Sequence, residues 1–250
     1  MLNTTSSLAL GFAAITAGAI SATLGVAGGI FLMSIILLFF PLKIAIPLHG
    51  LAQAVSNIGR VITKWRDIDW RTTLPYSVAI FPGAFCGYLV LDLVRPEVLE
   101  FLLGLFVVLL TLFPGFILPK AGKFQPKAFL LIGFMTSLFG MLVGPSGPLI
   151  APFFIHQGFS KSVVIATKAF CQMLVQGIKA PLFMFDGSFS FLKFKKEILI
   201  LVIGVTSGTF IGNRIVDRLS ENAYHRIVKF ALVILGGRIS ILALLKILNI

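Results

Sequence analysis

The sequence predicts an all-α integral membrane protein of about eight transmembrane helices. They form two homologous four-helix repeats, and the first helix of each repeat is broken at a glycine-rich stretch. Composition is the first reason: of the 250 residues, 58% are hydrophobic and only 12% are charged, and the mean hydropathy is +1.03. Soluble domains carry roughly 25% charged residues. The charges here are confined to short clusters between apolar runs, so too few polar residues remain to cover a soluble surface.

The apolar runs, taken in order, divide the chain into two halves of four spans each, because a helix needs about 20 apolar residues to cross a bilayer. The first run, 8–40, is interrupted by Gly-Val-Ala-Gly-Gly at 25–29, which we interpret as two half-helices meeting at a break. The run 128–155 opens the second half in the same way and is interrupted by Gly-Pro-Ser-Gly-Pro at 144–148. The other predicted spans are 48–63, 74–93, 98–118, 163–185, 198–216 and 227–248. The predicted units are an N-terminal repeat (1–119), a cytoplasmic linker (120–127) and a C-terminal repeat (128–250).

One polar pattern occurs twice, 119 residues apart, in His49–Arg60 and Lys168–Lys179. Its positions are spaced by four, four and three residues, which places them on one face of a helix. We call His49, Gln53, Asn57 and Arg60 the first stripe, and Lys168, Gln172, Gln176 and Lys179 the second stripe. The two glycine-rich stretches align at the same offset, and the segments 82–87 and 207–212 match further along. This ordered series of matches predicts a duplicated four-helix unit.

The basic loops predict the orientation, because cytoplasmic loops are enriched in Lys and Arg. If each broken segment crosses the membrane once, the nine basic residues of the loops near 64–71, 120–127 and 193–196 share one side with Lys246. Both termini are then cytoplasmic and the repeats are parallel. If each broken segment instead turns back as a re-entrant hairpin, the repeats are inverted and the bias weakens to nine against six. The bias favours the first arrangement.

The two breaks are the first candidate site. Unpaired backbone groups cost several kcal/mol in hydrocarbon, so broken helices persist only inside protein or beside water. Paired breaks in two repeats point to a transporter's binding site, and the N–H groups freed at a half-helix N-terminus favour an anion. The alternative is close helix packing by small residues. The candidate substrate-binding residues are Gly25, Ala27 and Gly28 in the first break, and Gly144, Ser146 and Gly147 in the second.

The stripes are the second candidate site. His49 and Lys168 begin the second span of each half, and neither stripe contains an Asp or Glu that could neutralise them. An anionic substrate would supply the missing charge, and the stripe amides would donate hydrogen bonds to it. Alternatively, His49 and Lys168 reach out to lipid headgroups. For Arg60 and Lys179, which approach the cytoplasmic end, such anchoring is the favoured role. The candidate binding residues are therefore His49, Gln53, Asn57, Lys168, Gln172 and Gln176.

Other chemistries have little support in the sequence. Cys86 and Cys171 are isolated in apolar runs, where they are typical of small buried hydrophobes, although a membrane thiol relay is an alternative. The hydroxyls of Thr136 and Ser137 lie near the second break, but such groups often bond back to their own helix. We find no catalytic motif and expect no enzyme activity, cofactor or metal. The net charge of +12 is not gathered into a basic arm, so nucleic acid is not an expected partner.

The two glycine breaks and the loop Trp-Arg-Asp-Ile-Asp-Trp-Arg at 65–71 resemble the sulfite exporter TauE/SafE family, also called the 4-toluene sulfonate uptake permease family. The resemblance covers nearly the whole chain. It implies two related four-helix halves and transport of small sulfur-containing anions, such as sulfite, sulfonates and sulfoacetate, across the bacterial inner membrane. Met33 stands where a proline is usual, and His49 and Lys168 stand where small hydroxyl residues are common in relatives.

The predicted function is therefore transport of a small anion, such as sulfite or an organosulfonate, bound between the two repeats. The predicted location is the bacterial inner membrane, and the predicted partners are the small anionic substrate and the lipid bilayer. A thiol-redox or assembly protein that uses Cys86 and Cys171 is the alternative function. A homodimer is compatible with the sequence, which leaves the oligomeric state open.

Overall fold

The computed structural model describes residues 3–24, 27–113, 124–216 and 221–248, which form helices joined by short turns. The N-terminal half contains α1 (Thr4–Leu24), α2 (Ala27–Ile36), α3 (Leu42–Thr63), a 3₁₀ turn (Trp65–Asp67), α4 (Trp70–Val90) and α5 (Pro96–Leu112). The C-terminal half contains α6 (Ala128–Val143), α7 (Gly147–His156), α8 (Lys161–Gly177), α9 (Lys179–Phe185), α10 (Lys195–Val216) and α11 (Glu221–Ile247). No strand occurs in these four ranges, which confirms the all-α prediction.

The outer surface of the helices is apolar, as a lipid environment requires. Within the described residues, three segments are long and apolar enough to cross a membrane: Thr4–Ala22, Trp70–Val90 and Ser162–Phe185. Large apolar side chains such as Phe12 and Phe81 are more than half exposed. Contiguous apolar surface of this kind is rare on a soluble monomer. The chain is a multi-pass membrane protein.

Both predicted helix breaks are present. In the first half α1 ends at Leu24 and α2 begins at Ala27, so Gly25 and Val26, between them, lie outside the described residues. In the second half α6 ends at Val143 and α7 begins at Gly147. The backbone between them turns at Gly144, whose φ of 95° is a conformation that residues with a Cβ rarely adopt.

At the first break the chain reverses direction. A Cβ on Gly28 would lie 2.5 Å from the backbone nitrogen of Ser21 and 2.6 Å from its Cβ, so the start of α2 lies against the end of α1. In addition, Arg60 near the end of α3 donates to Ser21 near the end of α1, at 3.4 Å. Thus α1 and α3 run in the same direction, with α2 folded back between them. The expectation that each broken segment crosses once is wrong for this half, because an apolar run with a glycine break looks the same whether the helix kinks or reverses.

The two stripe helices, α3 and α8, are antiparallel. Close to the end of α3, Lys64 donates to Ser162 at 3.1 Å and the backbone N–H of Asp69 donates to Thr167 at 3.0 Å, both near the start of α8. Towards the start of α3, a Cβ on Gly50 would lie 2.7 Å from the carbonyl oxygen of Gln176, near the end of α8. Corresponding helices of the two halves therefore run in opposite directions here. The expected parallel relation between the halves is wrong, and the re-entrant, inverted alternative agrees with these contacts.

Glycines allow the long helices to approach closely. Along the contact of α1 with α10, a Cβ on Gly208 would overlap the carbonyl oxygen of Ile15 and lie 2.9 Å from the backbone nitrogen of Ala19. Along the contact of α4 with α6, a Cβ on Gly83 would lie 2.9 Å from the carbonyl carbon of Phe134. Small residues at such crossings are the usual means of packing helices in a membrane. The close crossings hold the outer helices around the central pair, α3 and α8.

Candidate functional site

The first two residues of the first stripe, His49 and Gln53, lie against the first break. His49 is fully buried, and its Nε2 is 2.9 Å from the carbonyl oxygen of Gly29, two residues into α2. A Cβ on Gly29 would lie 3.7 Å from Cδ of Gln53, whose side chain is also buried. α3 begins after Pro41, and the four-residue spacing then turns His49 and Gln53 to the same side. Two predicted site residues are thus brought together at the start of α2.

The last two residues of the first stripe, Asn57 and Arg60, belong to a hydrogen-bonded chain. Asn57 donates through Nδ2 to the carbonyl oxygen of Gln53 at 2.8 Å and accepts from Nη1 of Arg60 at 2.9 Å. Arg60 is only 9% exposed, and its Nη2 reaches Ser21 on α1. The prediction that Arg60 serves as an anchor to headgroups is wrong, because its guanidinium lies inside the protein. Asn57 orients that guanidinium.

The second stripe contacts the second break directly. The Nζ of Lys179 donates to the carbonyl oxygen of Gly144, which the end of α6 leaves without a helical partner. Gln176 donates through Nε2 to the same oxygen at 3.4 Å and to the hydroxyl oxygen of Ser146 at 3.2 Å. Lys179, Gln176 and Ser146 are all buried. Anchoring is therefore the wrong role for Lys179 as well.

Lys168 and Gln172 complete the second stripe and are buried too, at 8% and 6% exposure. The alternative that His49 and Lys168 reach out to headgroups is therefore wrong for both residues. Because α3 and α8 are antiparallel, the first basic residue of each stripe lies near the last basic residue of the other stripe. The charge of Lys179 acts on His49, and the charge of Arg60 acts on Lys168.

The electrostatic character of this region is positive. Three basic side chains, those of Arg60, Lys168 and Lys179, and one histidine are buried along the crossing helices, and neither stripe contains a carboxylate. A surface pocket of about 450 Å³ lies elsewhere, beside the start of α3, where Lys43 pairs with Asp92 at 2.8 Å. Both partners of that pair are well exposed, and exposed pairs contribute little. The buried stripe cations are thus the stronger attraction for an anion.

The residues at the two breaks make different contacts. Gly28 packs tightly on α1, as the small-residue alternative proposes, whereas Gly144 and Ser146 contact the second stripe. Ala27 and Gly147 open the half-helices α2 and α7. Gly25, which the sequence assigns to the site, lies outside the described residues.

Two hydroxyls near the second break do not face the stripes. Thr136 donates to the carbonyl oxygen of Ile132 and Ser137 to that of Gly133, each at 2.7 Å. This bonding back to their own helix is what the sequence alternative predicts. The stripe members Arg60 and Lys179, which the predicted site omits, are also buried, and they contact Ser21 and Gly144. The signal for them is present in the sequence, because they occupy the fourth position of both stripes.

Two buried polar atoms of the described residues have no hydrogen-bond partner in the protein: Nδ1 of His49 and Oε1 of Gln176. The other nitrogen of His49 and the amide nitrogen of Gln176 are engaged with the breaks, at Gly29 and at Gly144. A buried polar atom without a partner costs about 1–3 kcal/mol. Such atoms are therefore typical of places where a ligand or water binds.

Comparison with known proteins agrees with the resemblance seen in the sequence. Residues 10–239 match the family described as Sulfite exporter TauE/SafE, which is nearly the whole chain. No curated protein and no solved structure matched the chain. The match covers both breaks, both stripes and the basic loop, and the chain belongs to the sulfite exporter TauE/SafE family.

Proposed function

We propose that this protein transports a small oxyanion, a sulfur-containing one such as sulfite or an organosulfonate, across the bacterial inner membrane. The observation that carries the proposal is that basic side chains from α3 and α8–α9 are buried close together beside two helix breaks. Membership of the sulfite exporter family supports the sulfur chemistry. The anion would lie where the two stripes cross.

The energetics of buried charge favour this function over a structural role. Removing a cation from water without a counter-charge costs several kcal/mol. An oxyanion beside Lys179, where the stripes cross, would offset that cost, and charge-assisted hydrogen bonds to its oxygens would fix its position. Gln53 and Gln172 lie one turn deeper and would add uncharged donors. The site thus has both the charge and the donors that such a ligand needs.

The proposed architecture has eight spans, formed by α1, α3, α4, α5, α6, the α8–α9 pair, α10 and α11, with α2 and α7 as re-entrant half-helices. The helix contacts support a twofold relation between the halves, because they are unchanged when the halves are exchanged, and the opposite directions of α3 and α8 favour an inverted one. α1 packs on α10 just as α6 packs on α4, while α3 pairs with its counterpart α8 and α5 with α11. Transport would then proceed by rocking of one half against the other, as in other inverted-repeat transporters.

Inverted repeats also change the proposed orientation. α1 and α3 run in the same direction, so the N-terminus and Arg66 lie at opposite faces. Lys246 near the C-terminus pairs with Glu100 near the start of α5, at the N-terminal face. The bias of nine basic residues against six supports an orientation with the 64–71 loop in the cytoplasm and both termini outside. This orientation replaces the expectation of cytoplasmic termini.

The orientation can be measured by labelling single cysteines with a membrane-impermeant maleimide. In a variant without Cys86 and Cys171, we expect Lys246→Cys to react in cells whose outer membrane alone is permeabilised. We expect Arg66→Cys to react only after the inner membrane is opened. The reverse pattern would show that the termini are cytoplasmic.

The transport function itself is tested in proteoliposomes. We expect uptake of labelled sulfite or methanesulfonate above that of protein-free vesicles, with competition by other small sulfonates and none by neutral sugars. Lys168→Ala should lower the rate on the order of tenfold, because one charge-assisted hydrogen bond is worth about 1.5–3 kcal/mol. Lys246→Ala is the matched control, since Lys246 is largely exposed in its pair with Glu100. Equal rates for both variants would remove Lys168 from the site.

The alternative thiol-redox function has no support from the geometry. Cys171 on α8 contacts Thr73, in the first turn of α4, whereas Cys86 lies thirteen residues further along α4. At 1.5 Å per residue this is about 20 Å, far beyond the Cα separation of a disulfide. We expect the Cys86→Ser, Cys171→Ser double variant to transport within about twofold of wild type. Loss of activity in a folded double variant would favour a thiol function.

A further inference from the structure

The imidazole of His49 is held in one tautomer. Its Nε2 faces the carbonyl oxygen of Gly29 at 2.9 Å, and a carbonyl oxygen only accepts hydrogen bonds, so Nε2 carries the proton. Nδ1 is then a bare acceptor in the neutral ring. This is the fully buried atom that has no partner among the described residues. If the ring turned so that Nδ1 faced Gly29, Nε2 would become the acceptor without a partner.

A bare acceptor conflicts with the anion that the neighbouring cations attract. The lone pair of Nδ1 would face the negative oxygens of the ligand, as would the unpartnered Oε1 of Gln176. Gln176 cannot simply turn over, because its nitrogen donates to Gly144 and Ser146. At His49, one added proton would remove the conflict, since it would turn Nδ1 into a donor.

The surroundings of His49 allow that proton only together with an anion. Lys179 is the described titratable group whose charge acts on His49, because its side chain lies over Gly50. α1 and α2 contain no titratable residue. The remaining ones on the helices packed against α3 are Lys161, Lys168 and Cys171 on α8, and Lys195, Lys196, Glu197 and Arg214 on α10. On α3 itself they are Lys43 and Arg60. An imidazolium beside the Lys179 ammonium is repelled until an anion lies between them.

We propose that His49 binds one proton when the anion binds, and that the proton and the anion cross the membrane together. The inference rests on the proposed anion transport. The proton comes from water on the side where the anion enters, forms the N–H bond at Nδ1, and returns to water on the other side when the anion leaves. No other bond changes and no electron is transferred. Because a monoanion and a proton together carry no net charge, the membrane potential then does not oppose entry of the anion.

The test uses proteoliposomes that contain a pH indicator and are given labelled methanesulfonate. A sulfonate is deprotonated throughout the working range of pH, so any proton that moves with it is bound to the protein. We expect the wild-type protein to carry one proton per methanesulfonate and to be driven by a pH gradient. His49→Gln should lose the proton, because its amide nitrogen can still donate to Gly29 but the titratable nitrogen is gone. His156→Gln is the matched control, a histidine outside both stripes, and should keep the ratio.

Sulfite provides the second arm, because hydrogensulfite brings its own proton. His49→Gln should therefore still move protons with sulfite while it moves none with methanesulfonate. Wild-type transport of methanesulfonate without protons would overturn the inference and leave the transport function intact, and this outcome needs no variant to fold. An unchanged proton ratio in folded His49→Gln would also overturn it. Failure of the wild-type protein to move either probe would remove the transport function, and the inference with it.

Discussion

Replacing Lys179 with Met lowers the rate of anion transport on the order of a hundredfold. The substitution keeps most of the length of the side chain and removes the buried amino group that contacts the second break at Gly144. A hydrogen bond to a charged group is worth about 1.5–3 kcal/mol, and the loss includes the direct attraction to the ligand. Removal of the buried cation also removes its desolvation cost, which offsets the loss of its hydrogen bond to Gly144, so we expect the variant to fold.

The measurement is the initial rate of labelled sulfite and methanesulfonate uptake, with insertion and folding checked by size-exclusion chromatography. Lys246→Met is the control with the same chemical change at an exposed ion pair, and it should transport at the wild-type rate. A folded Lys179→Met protein with a normal rate would show that this lysine only closes the end of α6.

Replacing Gly208 with Ala strongly destabilises the protein, because it adds a methyl group where the backbones of two helices touch. The new Cβ would overlap the carbonyl oxygen of Ile15 and lie 2.8 Å from its carbonyl carbon, and these backbone atoms cannot move without separating α1 from α10. Overpacking typically costs about 1–3 kcal/mol, and a clash with backbone belongs at the upper end. We expect the apparent melting temperature in detergent to fall by roughly 6–12 °C, at about 2–4 °C per kcal/mol.

Gly59→Ala is the matched control for this prediction. Gly59 also lies within a long helix, but a Cβ there would meet nothing within 4 Å. Its melting temperature should stay the same or rise slightly, because Ala is the better helix former. Similar falls for both variants would mean that the close approach of α1 to α10 does not explain the loss.

The sequence predicts well which polar residues of the stripes are buried, because that information is local. A polar residue inside an apolar helix is costly anywhere in the membrane, so the stripes can be recognised without knowledge of their neighbours. The second break can be placed within a few residues, because Gly144 ends α6 and the two prolines that follow it favour the start of a new helix over continuation of the old one. Burial confirms that Gln53, Gln172 and Gln176 face the protein interior.

The direction of the chain cannot be predicted in this way, because it depends on contacts between distant residues. The packing of Gly28 against Ser21 shows that the first break is a reversal, and nothing in the residue types around it distinguishes a reversal from a kink. With the wrong chain direction, Lys179 is predicted to lie near the lipid headgroups. In the folded protein the break turns its carbonyl oxygen toward this lysine, which is therefore buried.

The antiparallel crossing of the stripes has a consequence for the direction of transport. If the two halves were identical, exchange of the halves would also exchange the two sides of the membrane, and the carrier would work equally well either way. Only positions where the halves differ can make one side distinct from the other. At the crossing, that difference is His49 with Lys179 on one side and Lys168 with Arg60 on the other. In the proposed inverted arrangement, these unmatched pairs are therefore one place where a preferred direction of transport can be encoded.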